Sequence, residues 1–556
     1  MKKFLALFLA LVMVLGLCAC NSGGKSGGEQ GGQEGGGSGN AAAGEKVKFS
    51  IGIPTNAMVL DHDNNALTKW IEEKCNVELT FIEYAGGTDV ATQISTTIAA
   101  RQDLPDILFG ISLSESMITR YGKDGYLRDL SEYFADKEGA SKIFWDRVTN
   151  ELSEYDRDLV LRKIQDPNTG AIYGVPCVET SLIDKMQFQP WINQEWLDKL
   201  NLQIPTNNEE LVTVLKAFRD KDPNGNGQKD EIPLFGSNSA LGADVIDWLL
   251  NMFVFYREGR PWLVDENDKL SPVFTSDEYR EALKFIKMLQ DEKLLSQLVW
   301  TATGNEMKGI TTPSNGVAIC GIFVGHLNGT VQRGNDVLKQ YVPLPNWGYA
   351  IRNDATCSIT TFITESCDES KVDRAFEMLM TLWSWDGSMR VRYGEYTVNW
   401  TDPDEGAKSD IGLDATYKLL NDPLGQQTTA KWAKISCTLN VYAEGETAQV
   451  ADDTDDFIKL RSAMHAESYA LFEKAERENN PEKVCPLLIT TDEEKELTSM
   501  ERTNTGDRYK KAQAEFCTGV LDPNKDSDWN AYLKQLNDLG LPVWLELVQT
   551  AYDRSK

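Results

Sequence analysis

Residues 47–82 read VKFSIGIPTNAMVLDHDNNALTKWIEEKCNVELTFI, and the change of hydrophobic period inside this stretch decides the fold class. Residues 47–53 (VKFSIGI) alternate apolar and polar side chains, the pattern of a half-buried strand. In Ala66–Cys75 the apolar residues Leu67, Trp70 and Ile71 recur at helical spacing, and residues 77–82 (VELTFI) alternate again. Strand, helix, strand in that order predicts a parallel βαβ unit within an α/β fold. Residues 92–102 then predict a second amphipathic helix, and residues 104–109 (LPDILF) a third short strand. No short-period internal repeat accompanies them.

Upstream of this unit the chain changes character twice. Lys2 and Lys3 precede an apolar run from Phe4 to Cys20, the charge-then-hydrophobe order of a secretion signal. The run is slightly short of the roughly 20 apolar residues a spanning helix needs. It ends Leu17-Cys18-Ala19-Cys20 and gives way abruptly to Asn21-Ser22-Gly23-Gly24. This resembles the lipobox of bacterial lipoproteins, which implies cleavage before Cys20 and a diacylglycerol on its sulfur; Cys18 departs from the commonest residue at its position. An uncleaved anchor helix is the alternative, and either way the body is tethered outside the cytoplasmic membrane. Residues 21–44 hold 11 glycines among small and polar residues. Such a segment behaves as a flexible coil with a reach of roughly 25–30 Å.

The chain of 556 residues carries 56 Lys and Arg against 85 Asp and Glu, a net charge of −29. A surface so negative repels phosphate backbones, and no basic stripe recurs, so nucleic acid is excluded as a partner. At about 150 residues per domain the length allows three domains or two large lobes. Of ten cysteines, eight remain beyond Cys20: Cys75, Cys177, Cys320, Cys357, Cys367, Cys437, Cys485 and Cys517. They are spread out, with no CxxC pair and only His62, His326 and His465 as further soft ligands, so a zinc site is not expected. Most are expected to act as small buried hydrophobes, and their number in an exported chain points to an anaerobic habitat.

Downstream, several segments recur in one known order. Residues 102–108 (QDLPDIL) and 121–130 (YGKDGYLRDL) resemble the "GDLPDI…G…DL" segment of extracellular solute-binding proteins, the capture subunits of ABC importers. Residues 169–176 (TGAIYGVP) resemble that family's "GKIYGVP". Residues 191–200 (WINQEWLDKL), continuing to Ile204-Pro205-Thr206, resemble its "R-x-D-W-L-D-K-L-G…P-T". Residues 515–519, 529–532 and 549–554 resemble its closing helices. The resemblance spans nearly all of the chain after residue 44. It implies a two-lobed, periplasmic-binding-protein-like α/β fold with hinge strands and a ligand cleft between lobes. One lobe is expected from residues 45–165 plus about 314–379, and the other from 166–313 plus 380–556.

Residues 222–231 (DPNGNGQKDE) form the most informative local motif. Oxygen-bearing side chains at the alternate positions Asp222, Asn224 and Asn226, with Gly227 to permit a tight turn, let a short loop wrap a hard cation. Gln228 is expected to offer its backbone carbonyl, and Asp230 and Glu231 to complete the shell; Pro233 stands where a full EF-hand loop places its closing Glu. The loop resembles the calcium loop of alginate-oligosaccharide-type binding proteins, which implies a structural Ca2+. A polar Asn-Gly turn is its plainer reading.

Sugar sites combine aromatic faces with polar side chains that satisfy hydroxyls. Trp70, Trp196, Trp383 and Trp544 sit at helical spacing among apolar neighbours and read as core. Trp300, Trp347 and Trp400 lie in turn-rich polar segments and are the expected ligand contacts, with Asp106 a further candidate whose alternative is a cap or turn role. No G-x-S-x-G, H-E-x-x-H or P-loop motif is present, so no catalytic residue is named. A glycoside hydrolase needs only two placed carboxylates, and a peptide-binding transport lipoprotein shares the tether and fold. The reading adopted is a lipid-anchored, monomeric binding protein, not an enzyme. It captures an oligosaccharide by cleft closure at the outer face of a Gram-positive cell membrane and delivers it to ABC permease subunits.

Overall fold

A computed structural model describes residues 45–86, 89–409, 412–421, 427–432, 436–440, 447–449 and 456–556. The lipidation candidate Cys20 and the glycine-rich segment lie outside the described residues. The decisive stretch folds as its periodicity requires. Strand Val47–Pro54 runs parallel to strand Val77–Tyr84, with Val47 opposite Val77 and Ile53 opposite Glu83. Helix Ala66–Cys75 crosses between them. It starts where the Asn65 side chain accepts the Leu67 amide and stops at Asn76, in the left-handed conformation that Asn tolerates. Its buried Leu67 and Ile71 join Phe49, Ile51 and Val77 in one core.

The first sheet has six strands in the order 439–440, 175–179, 356–363, 107–109, 47–54, 77–84. Strand 356–363 runs antiparallel to both of its neighbours. A second sheet orders strands 341–343, 190–193, 320–324 and 232–235 around a separate core holding Trp191, Trp196 and Phe323. The chain thus leaves the first sheet after Glu179, returns at Thr356, and departs again after Asn440 for helices whose Met464, Phe516, Tyr532 and Trp544 pack into the second core. Two α/β lobes, each discontinuous, result.

Their borders differ from those expected. Strands Cys320–Val324 and Tyr341–Pro343, assigned to the first lobe, pair in the second sheet, and residues 380–440, assigned to the second lobe, supply Trp383, Trp432 and Leu439 to the first core. The reason is physical: CGIFV is apolar and buried throughout, so its pattern announces a central strand without saying of which sheet.

The segments joining the lobes run side by side. Met186 and Arg352 form an antiparallel bridge, the Gln187 amide donates to Ile351 O at 3.0 Å, and the Asn353 amide to Lys185 O at 2.8 Å. Helix Asp456–Asn479 lies across both, placing Phe472 and Ala475 against Met186 and Ala350. The Arg352 guanidinium forks onto Glu476 at 2.8 and 2.5 Å, and the Asn480 side chain exchanges two hydrogen bonds with the backbone of Ala350. No helix among the described residues is long and apolar enough to cross a membrane. The eight cysteines are unbonded to one another and buried, apart from half-buried Cys357.

Candidate functional site

Two cavities adjoin on the second lobe, beyond the carboxyl ends of the parallel strands 232–235 and 320–324. Ligands of open α/β sheets bind at this end because chain reversals there leave a crevice. The first cavity, ≈ 320 Å³, reaches the joining segments at Met186, Gln187 and Asn353 and is lined by Asp184, Asn238, Asp244, Asp247, Glu258 and His326 among others. The second, ≈ 350 Å³, shares Asn238, Asp244, Asp247 and Glu258 and continues to Tyr256, Trp300 and Lys510.

The local sequence sets these side chains. Asp244 caps helix Val245–Leu250, its Oδ1 accepting the Ile246 and Asp247 amides at 3.0 and 3.1 Å. That cap turns Asp247 inward, where Gln513 Nε2 donates to its Oδ1 at 3.2 Å. Burial first, and Asp244 second, push the Asp247 carboxyl well above the ordinary range. Burial likewise raises Asp244, against the pull of its two amide donors. Glu258 accepts from Lys510 Nζ at 2.8 Å. His326 follows strand 320–324 and is 5% exposed, with neither ring nitrogen partnered among the described residues. Its ring stands 5.5 Å, centre to centre, from His465 on the long helix.

Of the aromatic candidates only Trp300 lies here: half-buried, with Nε1 unpartnered among the described residues. Trp347 donates to Asn208 Oδ1 at 2.8 Å and packs on the second core, fixing a joining segment to helix Asn208–Asp220. Trp400 is 1% exposed, packed with Met389, Tyr393 and Tyr417 and donating to Gly394 O. Asp106 stands at the opposite, amino end of strand 107–109. Its Oδ2 accepts the Ser50 amide and hydroxyl, both at 2.7 Å, and so staples two strands. Neither it nor Trp347 nor Trp400 lines the cavities. The carboxylates went unnamed from sequence, and His326 entered only as one of three histidines too isolated for a zinc site. The only trace was an Asp at the cap of the apolar run 245–250 with a second Asp three residues on.

The candidate metal loop lies elsewhere on the second lobe, between helix 208–220 and strand 232–235. Gly225 and Gly227 take φ of 72° and 75°, the left-handed region where a side chain is strained. Asp222 accepts the Asn226 and Gly227 amides at 3.2 and 3.0 Å, and Asn226 Oδ1 accepts the Gln228 amide at 2.7 Å. The amides of Asn224 and Asn226 donate to Asp230 at 3.0–3.2 Å, so the side chains converge on one centre. Among the described residues no three acidic, His or Cys side chains form a ready metal cluster. The donor set is mixed carboxylate and amide, as a hard cation prefers. Glu231 Oε1 is buried without a partner among the described residues, and burial, followed by Asp230 and Asp222, raises its carboxyl. An orphaned anionic oxygen beside two carboxylates fits a cation.

Two α/β lobes crossed by side-by-side segments define the fold of extracellular solute-binding proteins, and this chain has it. An extracellular solute-binding protein of Bifidobacterium longum subsp. infantis superposes with a TM-score of 0.70 at 21% identity, covering 92% of this chain and 99% of that one. By sequence the chain is similar to the fructooligosaccharide ABC transporter substrate-binding protein FusA of Streptococcus pneumoniae serotype 4, 22% identical over 515 residues, 89% of this chain and 88% of that protein. The structure of FusA with kestose matches with a TM-score of 0.64 at 19% identity, over 91% and 99% of the two chains, and a FusA EF-hand mutant matches equally. The polygalacturonan/rhamnogalacturonan-binding protein YtcQ of Bacillus subtilis is 25% identical over 267 residues, 47% of this chain and 46% of that one. No family model matches.

Proposed function

We propose that this chain is a solute-binding protein that holds an oligosaccharide between its lobes outside the cytoplasmic membrane and hands the closed complex to an ABC permease. The observation that carries the reading is the polar groove of the second lobe opening beside the two joining segments, where a ligand contacts one lobe and the hinge together. A ligand held there that gains contacts to the first lobe on closure binds the closed arrangement more tightly than the open one and shifts the population toward it. Antiparallel joining segments with few bonds between them suit such a hinge, and helix 456–479 limits the directions in which it bends. Similarity to FusA along most of both chains supports the saccharide class and the transporter.

The N-terminal reading supplies the tether: a lipid on Cys20 and a coil up to residue 44. Asp222, Asn224, Asn226, Asp230 and Glu231, with the backbone of Gln228, would hold a structural Ca2+. The ion would supply positive charge that neutralises crowded carboxylates. The loop then fixes the end of helix 208–220 against strand 232–235, one wall of the second core.

Calorimetric titration of the full chain with neutral, amino and acidic oligosaccharides and with short peptides tests the proposal. Saturable binding of a saccharide recovered uncleaved is the expected result. Response to peptides alone, or cleavage of the sugar, overturns it.

A further inference from the structure

The second-lobe groove carries an unbalanced charge. Asp184, Asp244 and Glu258 line the two cavities together with Asp247, whose raised carboxyl adds the least charge, and the one lysine or arginine among the lining residues is Lys510. Its ammonium is already engaged by Glu258 at 2.8 Å. His326 brings no compensating charge, because burial pushes its imidazole down to about 4. Yet this ring, 5% exposed and facing the first cavity, has two nitrogens with no partner among the described residues. The indole nitrogen of Trp300 is in the same condition in the second cavity. Buried polar atoms are almost always paired, so this wall has hydrogen-bonding capacity that the described residues do not use. The carboxylates offer acceptors, the indole a donor, and the neutral imidazole one of each.

We propose that this wall selects saccharides by charge: it takes a sugar unit rich in hydroxyls and free of carboxylate, and it rejects the uronate counterpart. The inference rests on the saccharide reading above and adds the class of sugar. Hydroxyls donate to the carboxylates of Asp184, Asp244 and Glu258 and satisfy His326 and Trp300. A uronate placed there sets its own carboxylate beside Asp184, Asp244 and Glu258, and among the lining residues only Lys510, already held by Glu258, could answer it. Rejection of the wrong ligand by unpaired like charge is a common route to specificity. The relatives do not decide the matter, since one is named for fructooligosaccharides and another for polygalacturonan. Neutral and amino sugars share the donating chemistry, and separate arms of the test distinguish them.

The test is calorimetry on the full chain with length-matched pairs, galactan against galacturonan oligomers and mannan against mannuronate oligomers, together with kestose and a glucosamine oligomer. The expected result is that a neutral or amino oligomer binds and every uronate partner binds at least a hundredfold more weakly. Asp244→Asn, which keeps a side chain able to cap the helix, and Glu258→Gln, at an exposed position, are each expected to narrow that ratio at least tenfold. A uronate that binds as tightly as its neutral partner, or a ratio unmoved by both substitutions, overturns the inference and leaves the receptor reading standing. Absence of binding by every saccharide overturns both.

Discussion

Tyr155 of the first lobe donates its hydroxyl to Asp354 Oδ1 at 2.6 Å, while Arg260 of the second lobe holds Asp354 Oδ2 at 2.6 Å. Arg257 adds a contact of 2.9 Å to Oδ1, and Arg260 also donates to the Tyr155 oxygen at 3.2 Å. Asp354 lies in the segment that returns the chain to the first sheet, so this cluster fastens both lobes to the joining region. Its guanidinium groups are largely buried, with Arg260 9% exposed.

Replacing Asp354 by Ala strands two buried guanidinium groups and is expected to cost ~3 kcal/mol of stability, read by denaturant unfolding. The pH dependence follows. Burial favours the protonated Asp354, but Arg257 and Arg260 outweigh it and hold the carboxyl below its ordinary range. A depressed folded-state pKa contributes stability above the unfolded value, about 3.9, and loses it as pH falls through the folded one. Asp354→Asn should therefore lower stability at neutral pH and flatten its fall below about pH 4; an unchanged acid limb counts against the pairing.

The metal loop makes a separate prediction. At a hundred times its dissociation constant, Ca2+ should stabilise the chain by about 2.7 kcal/mol, seen as a higher melting temperature that chelator reverses. Glu231→Gln should remove most of that response. A melting temperature indifferent to calcium and chelator leaves the loop a plain turn.

The tryptophans separate binding from packing. Trp300→Ala should weaken saccharide binding about tenfold with little effect on folding, because its indole lines the groove. Trp400→Ala should cost ~3–5 kcal/mol of stability, the range for emptying a buried aromatic site, and leave the affinity of the surviving folded protein unchanged. Paired unfolding and titration curves check both.

The thiols give an inexpensive test of the fold itself. Burial raises Cys357 to about 12 and Cys367 and Cys485 to about 11, so few thiolates exist at neutral pH. A thiol reagent should label the native chain slowly and all buried cysteines promptly in denaturant. Fast native labelling of several positions contradicts the burial described.

What the sequence made legible was whatever local periodicity encodes. Helix Ala66–Cys75 has the bounds its spacing predicts, and the strands flanking it pair in parallel as the order of elements requires. The partner sheet of Cys320–Val324 was not legible, because an apolar strand buried on both faces carries no mark of its neighbours. The groove was missed for a related reason. Asp184, Asp244 and His326 are far apart in the chain; pairing of strands 232–235 and 320–324 sets His326 beside the segment that carries Asp244, and a joining segment adds Asp184. Asp106 misled because a carboxylate beside a strand looks the same whether it meets a ligand or the Ser50 amide. The candidate cation loop could be named from sequence because all of its side chains lie within ten consecutive residues.

Small-angle scattering on the full chain, with and without a saccharide shown by calorimetry to saturate it, tests the central claim most directly. Capture by lobe closure predicts a smaller radius of gyration in the saturated sample. An unchanged radius with the ligand bound would contradict it.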